Sequence, residues 1–373
     1  MKIDFNISIL NTLLYQYPDK AMSLDVKFPK IYQWLEEKDK PTFNQLADLA
    51  QLFDIPFGYF FLQEIPLKQY PIPHFRTNNQ KQFRPSKELI DTVETLQERQ
   101  QWAKDLLIDL RGEKLPFTNS ITTKIPIETA VNEINSLLRL SGHWAKSIPR
   151  WSDALNLLIN RTELSGIFVV LNGVVDNNTK RKLDTNEFRG FVLYDDFAPF
   201  VFLNNNDALS GKIFTLIHEI AHVLVGKSAS FDLKQLQPAS DDTEEYCDRV
   251  AAEFLVPRNL LEKHVQKYGI DYLSLARVFK VSQIVIARRL LDLSRITRHE
   301  FFTFYEDYIN REKKVDLSSG GNFYNTAPYR ISKRFFSLIH NSVKQNKILY
   351  TDAFRLTGLK PKTFDEYIKR NLA

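Results

Sequence analysis

A chain of 373 residues with 43% apolar side chains can build two or three packed domains, and 28 Phe and 15 Tyr against 12 Gly speak for helices and packed strands and against disorder. One cysteine excludes internal disulfides and fits the reducing cytoplasm, and no apolar run of about 18 residues and no basic-plus-apolar leader points to a membrane or to export. The net charge of +5 is unevenly spread: residues 1–68 hold seven Lys and Arg against nine Asp and Glu, residues 295–373 fifteen against eight, so simple attraction of an acidic partner is expected at the C-terminal end.

Residues 1–68 read as a set of short helices, at 7–17, 28–35 and 41–53, with the aromatic run Phe57-Gly58-Tyr59-Phe60-Phe61 packing beside them. This segment resembles the helix-turn-helix of phage-repressor-like regulators. By that likeness 28–35 would be the reading helix, with Lys27, Lys30 and Gln33 as DNA contacts. The net acidic charge argues the other way, for a helical bundle that binds a protein.

Residues 69–120 read as a linker followed by a long helix. The stretch 69–82 is polar and punctuated by Pro71 and Pro73. From 85 to 111 the spacing of Leu89, Val93, Leu96, Trp102 and Leu106 predicts an amphipathic helix, expected to act as a strut. Residues 121–294 form the next predicted domain. Helices are expected at 130–140 and 151–160, a strand at 164–171, and a hairpin-like pair at 188–194 and 199–203. The second member of that pair runs into the most informative helix of the chain.

That helix carries His218-Glu219-Ile220-Ala221-His222 among apolar neighbours, with start signals at 204–207 and a stop at Gly226. Two histidines four apart lie one turn above each other and supply two of the three protein ligands of an open zinc site. Glu219 projects about 100° away, placed to act as general base without binding the ion. A third ligand is required. Glu244 comes 22 residues after His222, on a helix predicted from near Asp241, with Thr243 as candidate cap, to the residue before Pro257. Asp248, one turn further on, could fix a histidine tautomer from behind. Glu245 and Glu253 are rival acids. The stretch 227–240 between the two helices is polar enough to serve as a lid.

Residues 271–293 read as two helices about Val281-Ser282, either a second helix-turn-helix made basic by Arg288 and Arg289 or, preferred, a pair closing the core. Residues 295–373 form a basic C-terminal helical domain, with a turn-rich run at 318–322 and helices at 335–344 and 362–372.

The pattern His218-Glu219-x-x-His222 with Glu244-x-x-Cys247-Asp248-x-x-Ala251-Ala252-Glu253-Phe254-Leu255-Val256-Pro257 resembles the ImmA/IrrE family of metallo-endopeptidases. That resemblance implies an α+β, mostly helical multidomain chain with a zincin-like core: a small mixed sheet, the histidine helix and the glutamate-bearing helix. It implies His218, His222 and Glu244 as ligands of one Zn2+, Glu219 as base and Asp248 behind the ligands. Mn2+ or Fe2+ would also suit two histidines and a carboxylate. Cys247 departs from the family's usual alanine and is a minor candidate for a further metal contact. Oxyanion donors are sought nearby in sequence, at Tyr268, His264 and Arg249. Zincins present an edge strand beside this helix, which makes 199–203 the candidate for pairing with an extended peptide. The implied activity is cleavage of a protein partner, a repressor-like or toxin-like one, in control of a mobile element, defence or stress response. The competing reading is a DNA- or protein-binding regulator with little catalysis, its DNA contact through 1–68 or the basic C-terminal domain.

Overall fold

In a computed structural model the chain divides into two compact units, Met1–Gln69 and Tyr70–Ala373. The structure describes residues 2–16, 24–53, 55–63, 85–110, 112–141, 144–226, 241–312 and 330–371. The linker expected at 69–82, the lid at 227–240 and the turn-rich run at 318–322 lie outside the described residues. The fold is mostly helical α+β with a small mixed sheet, as the family resemblance implies. Among the described residues no helix is long and apolar enough to cross a membrane.

The first unit holds α1 (Ile7–Gln16), α2 (Leu24–Lys27), α3 (Ile31–Leu35) and α4 (Phe43–Phe53), then a tight helical turn at Phe57–Phe61. Ile9, Leu13, Trp34, Leu46, Phe53 and Phe60 form its core. The reading helix expected at 28–35 is not one helix. The chain turns at 28–30 and only the five residues of α3 follow. Pro29 lacks an amide hydrogen and disfavours helical backbone at Phe28, which breaks the rod. Lys30 is drawn 3.1 Å from Asp39, which also pairs with Lys2. Lys2, the Lys40 amide and Lys30 hold that carboxyl well below the usual range. Lys27 stands exposed 5.7 Å from the Phe28 ring, and exposed Gln33 accepts at its carbonyl from the Lys38 amide at 2.8 Å. Part of the local positive charge is thus spent on Asp39 rather than offered outward.

The second unit is built on three strands. β1 (Phe168–Asn172), β4 (Gly190–Leu193) and β5 (Phe200–Asn204) lie in the order β1-β5-β4, with β1 parallel and β4 antiparallel to β5. All three are wholly buried, so their side chains alternate between two cores. Val169, Leu171, Val192, Val201 and Leu203 point to one. Phe168, Val170, Phe191, Phe200 and Phe202 point to the other, with Phe168 stacked on Phe200 at 4.5 Å and Phe191 on Phe202 at 5.0 Å. The first core is closed by α6 (Ile127–Leu138), α7 (Trp151–Ser165), α8 (Leu209–Val225), α9 (Asp241–Leu255), α10 (Arg258–Tyr268), α11 (Tyr272–Phe279), α12 (Gln283–Asp292) and α13 (Arg298–Glu312). The second is closed by α5 (Lys87–Asp109), α14 (Lys333–Lys344), α15 (Tyr350–Thr357) and α16 (Pro361–Asn371).

Four expectations change. β5 lies at the centre of the sheet and has both edges paired, so it cannot accept a further strand; β1 and β4 are the outer strands. The first strand begins at Phe168 because α7 runs on to Ser165. A short hairpin, β2 (Val174–Val175) with β3 (Asn178–Lys182), escaped prediction because Asn-Thr-Lys-Arg-Lys carries no apolar alternation. Finally, α5 lays Leu89, Val93, Leu96 and Ala103 into the second core, where a strut would leave them bare. The described residues on either side of 120/121 and of 294/295 share a core.

Candidate metal centre

α8 is the innermost rod of the first core. Ile213, Leu216, Ile217, Ile220, Val223 and Leu224 are all inaccessible to solvent, and burial of that apolar surface fixes the helix. The start signals at 204–207 form the turn before it. Asn204 accepts from the Asn206 amide at 3.1 Å and Asp207 from the Ala208 amide at 2.8 Å, and the helix starts at Leu209 without a side-chain cap. Buried Lys212 donates to the Asn205 carbonyl and side-chain oxygens at 3.1 and 2.9 Å. At the other end, the amides of Asn119 and Ile121 satisfy the last carbonyls, of Val223 and Leu224, at 3.2 and 3.1 Å, and Gly226 closes the helix.

α9 packs against α8. Tyr246, Cys247, Val250, Ala251 and Phe254 are buried, which turns Glu244 and Asp248 toward the histidines and leaves Glu245 exposed. Thr243 is buried inside this helix, which begins at Asp241, so it is no cap. Glu253 pairs with Arg289 and accepts from the Arg258 amide at 3.0 Å, holding α9 to α10 and α12.

His218, His222 and Glu244 converge, their candidate ligand atoms all within 4.8 Å of one another. The two Nε2 atoms are 3.1 Å apart, Glu244 Oε2 lies 3.2 Å from His218 Nε2, and Glu244 Oε1 lies 3.0 Å from His222 Nε2. Bonds of roughly 2.0–2.2 Å in a tetrahedron put ligand atoms about 3.3 Å apart, so this spacing fits a small divalent ion. Asp248 Oδ1 lies 2.9 Å from His218 Nδ1. His222 Nδ1 is buried without a hydrogen-bond partner among the described residues.

Electrostatics agree with that geometry. Burial works against a charged His218, yet bonding to Asp248 and Glu244 pushes it up to about 9. His222 is pushed down, chiefly by burial. Burial opposes ionisation of Glu244, but the two histidines hold it well below the carboxylate range. The site therefore keeps an anion beside positive charge, the arrangement a cation would take over.

Glu219 is buried beside His218, and its charge bears on both His218 and Cys247. Cys247 lies outside the group of three, its thiol pushed well up by burial and by the charges of Glu244, Glu219 and Asp248. Of the three candidate oxyanion donors, His264 is not among the three clustered residues. His264 and Tyr268 face each other at 4.8 Å and line a pocket of about 340 Å3 with Gly269, Asp271, Ser274 and Leu275. Exposed Arg249 bears electrostatically on Tyr246 and Arg289. One neighbour escaped the sequence reading. Phe214, one turn before His218, stacks on its ring at 6.5 Å, and the signal was the same four-residue spacing that joins the histidines.

Residues 162–291 match a peptidase family model described as the IrrE N-terminal-like domain. Residues 331–370 match the model of a domain of unknown function. No curated protein matches the chain.

Proposed function

We propose that the chain is a zinc-dependent endopeptidase that cuts a protein partner, with a transcriptional repressor as the target that the ImmA/IrrE resemblance implies. The observation that carries this reading is the trio His218, His222 and Glu244, spaced 3.0–3.2 Å apart within a stretch that matches a peptidase family. These three residues would hold the ion, and Mn2+ or Fe2+ suits the same donors. When bound, the ion supplies Lewis acidity that acidifies a water and polarises the scissile carbonyl.

The chain's own groups do the rest. Asp248 holds the Nδ1 side of His218, which turns Nε2 toward Glu244. Glu219 takes the proton from the attacking water and delivers it to the leaving amine. The apolar wall of α8 keeps bulk water from that exchange and strengthens each charge interaction.

The test pairs two variants. Glu219→Gln should keep about one zinc per chain while slowing cleavage of a repressor substrate by roughly 10²–10⁴-fold. His222→Ala should lose the metal. Cleavage by Glu219→Gln within tenfold of the parent would remove Glu219 as base. A parent that holds metal but never cuts would favour the regulator reading.

A further inference from the structure

We propose that α14, α15 and α16 form a helix-turn-helix that binds duplex DNA, with α16 as the reading helix. The inference is independent of the peptidase reading. It rests on how the last three helices are joined, on which faces they bury, and on where their charge stands.

The join between α15 and α16 is three residues, 358–360. A helix pair joined by a 3–4-residue turn, often containing glycine, is the arrangement that seats a second helix in a major groove. Gly358 takes φ +65, a left-handed conformation that side chains resist, and its amide closes α15 on Arg355 at 3.3 Å. Pro361 opens α16, where its missing amide hydrogen costs nothing. Ala353, Leu356, Leu359, Phe364 and Tyr367 are buried, and Phe336 of α14 meets Phe364 at 4.9 Å and Tyr367 at 4.1 Å. One helix of support therefore lies behind the pair, on the side that faces the second core.

The opposite face of α16 is open. Lys362, Asp365 and Lys369 are exposed, Thr363 and Glu366 half-buried, and Lys360 stands exposed at the entry. Residues 330–371 hold ten Lys and Arg against three Asp and Glu. Lys347, Lys360, Lys362 and Lys369 make no ion pair among the described residues, in contrast to Lys30 of the first unit. Phosphate binding needs free cations, and here they flank the helix. Asp365 and Glu366, set between Lys362 and Lys369, are acceptors that suit the amino group of cytosine.

The full chain would be used to enrich binders from a random duplex library, and affinity for the enriched duplex would then be followed between 50 and 200 mM salt. Lys362→Glu with Lys369→Glu should weaken binding at least tenfold and flatten the log–log salt slope by about 2. Lys27→Glu with Lys30→Glu should leave both unchanged. Thr363→Ala should change the enriched sequence without changing the slope. Should charge reversal alter the melting curve, Lys362→Gln with Lys369→Gln serves in its place. The proposal fails if no duplex is enriched at 50 mM salt, if the α16 variants bind like the parent, or if polyglutamate binds with equal affinity.

Discussion

The contact between His218 Nδ1 and Asp248 is a single interaction with a measurable job. If Asp248 fixes the ring so that Nε2 faces Glu244, Asp248→Ala should lower metal affinity about 10–100-fold while leaving the fold intact. Competition against a chelator of known affinity measures this, and an unchanged constant would show that packing alone orients the ring. At this scale much was legible in the sequence. Four-residue spacing puts His218 and His222 on one face, and the same spacing puts Asp248 behind Glu244. Glu245, a rival acid by sequence, is exposed. What could not be read was anything set by folding in three dimensions. His264 and Tyr268 were named from their sequence position, and the pocket they share could not be read from it.

At the scale of elements, the approach of α8 to the sheet is limited by one small residue. A methyl group on Gly190 in β4 would come within 2.5 Å of Thr215 Cγ2 and 2.7 Å of the Phe202 carbonyl oxygen. Gly190→Ala should therefore cost about 1–3 kcal/mol as strand and helix separate. Urea unfolding checks the size, and metal content checks whether α8 has moved. A variant as stable as the parent would mean the sheet edge yields freely. Helices with a clear apolar stripe were foreseeable to within a few residues, as α4, α5 and α9 show. The order of strands was not. Phe200-Val201-Phe202-Leu203 is apolar on both faces, which announces burial but does not say whether neighbours lie on one side or on both.

At the scale of the molecule, the C-terminal helices and α7 meet at a buried acid. The Ser332 hydroxyl, which also caps α14, donates to Glu163 at 2.5 Å. Burial pushes the Glu163 carboxyl up, against hydrogen bonds from Ser332, Val169 and Arg334 and the charge of Lys333. The folded chain thus keeps this proton to a higher pH than the unfolded chain does. Its contribution to stability is complete below the ordinary carboxylate range and is lost as pH rises through the folded value. Glu163→Gln should match the parent near pH 4 and exceed it near pH 7 in urea midpoint. A difference that does not vary with pH would contradict the assignment. That residues 330–371 form one wall of a shared core was not legible, because the stripe Phe335, Phe336, Ile339 and Val343 declares a buried face without naming what covers it.

The sheet has a consequence for traffic across the protein. Its alternating side chains send α8 and α9 to one side and α14 to α16 to the other, with a single layer of strands between. A polypeptide drawn over the histidines and a double helix resting on α16 would arrive from opposite directions. Neither would have to leave before the other could land.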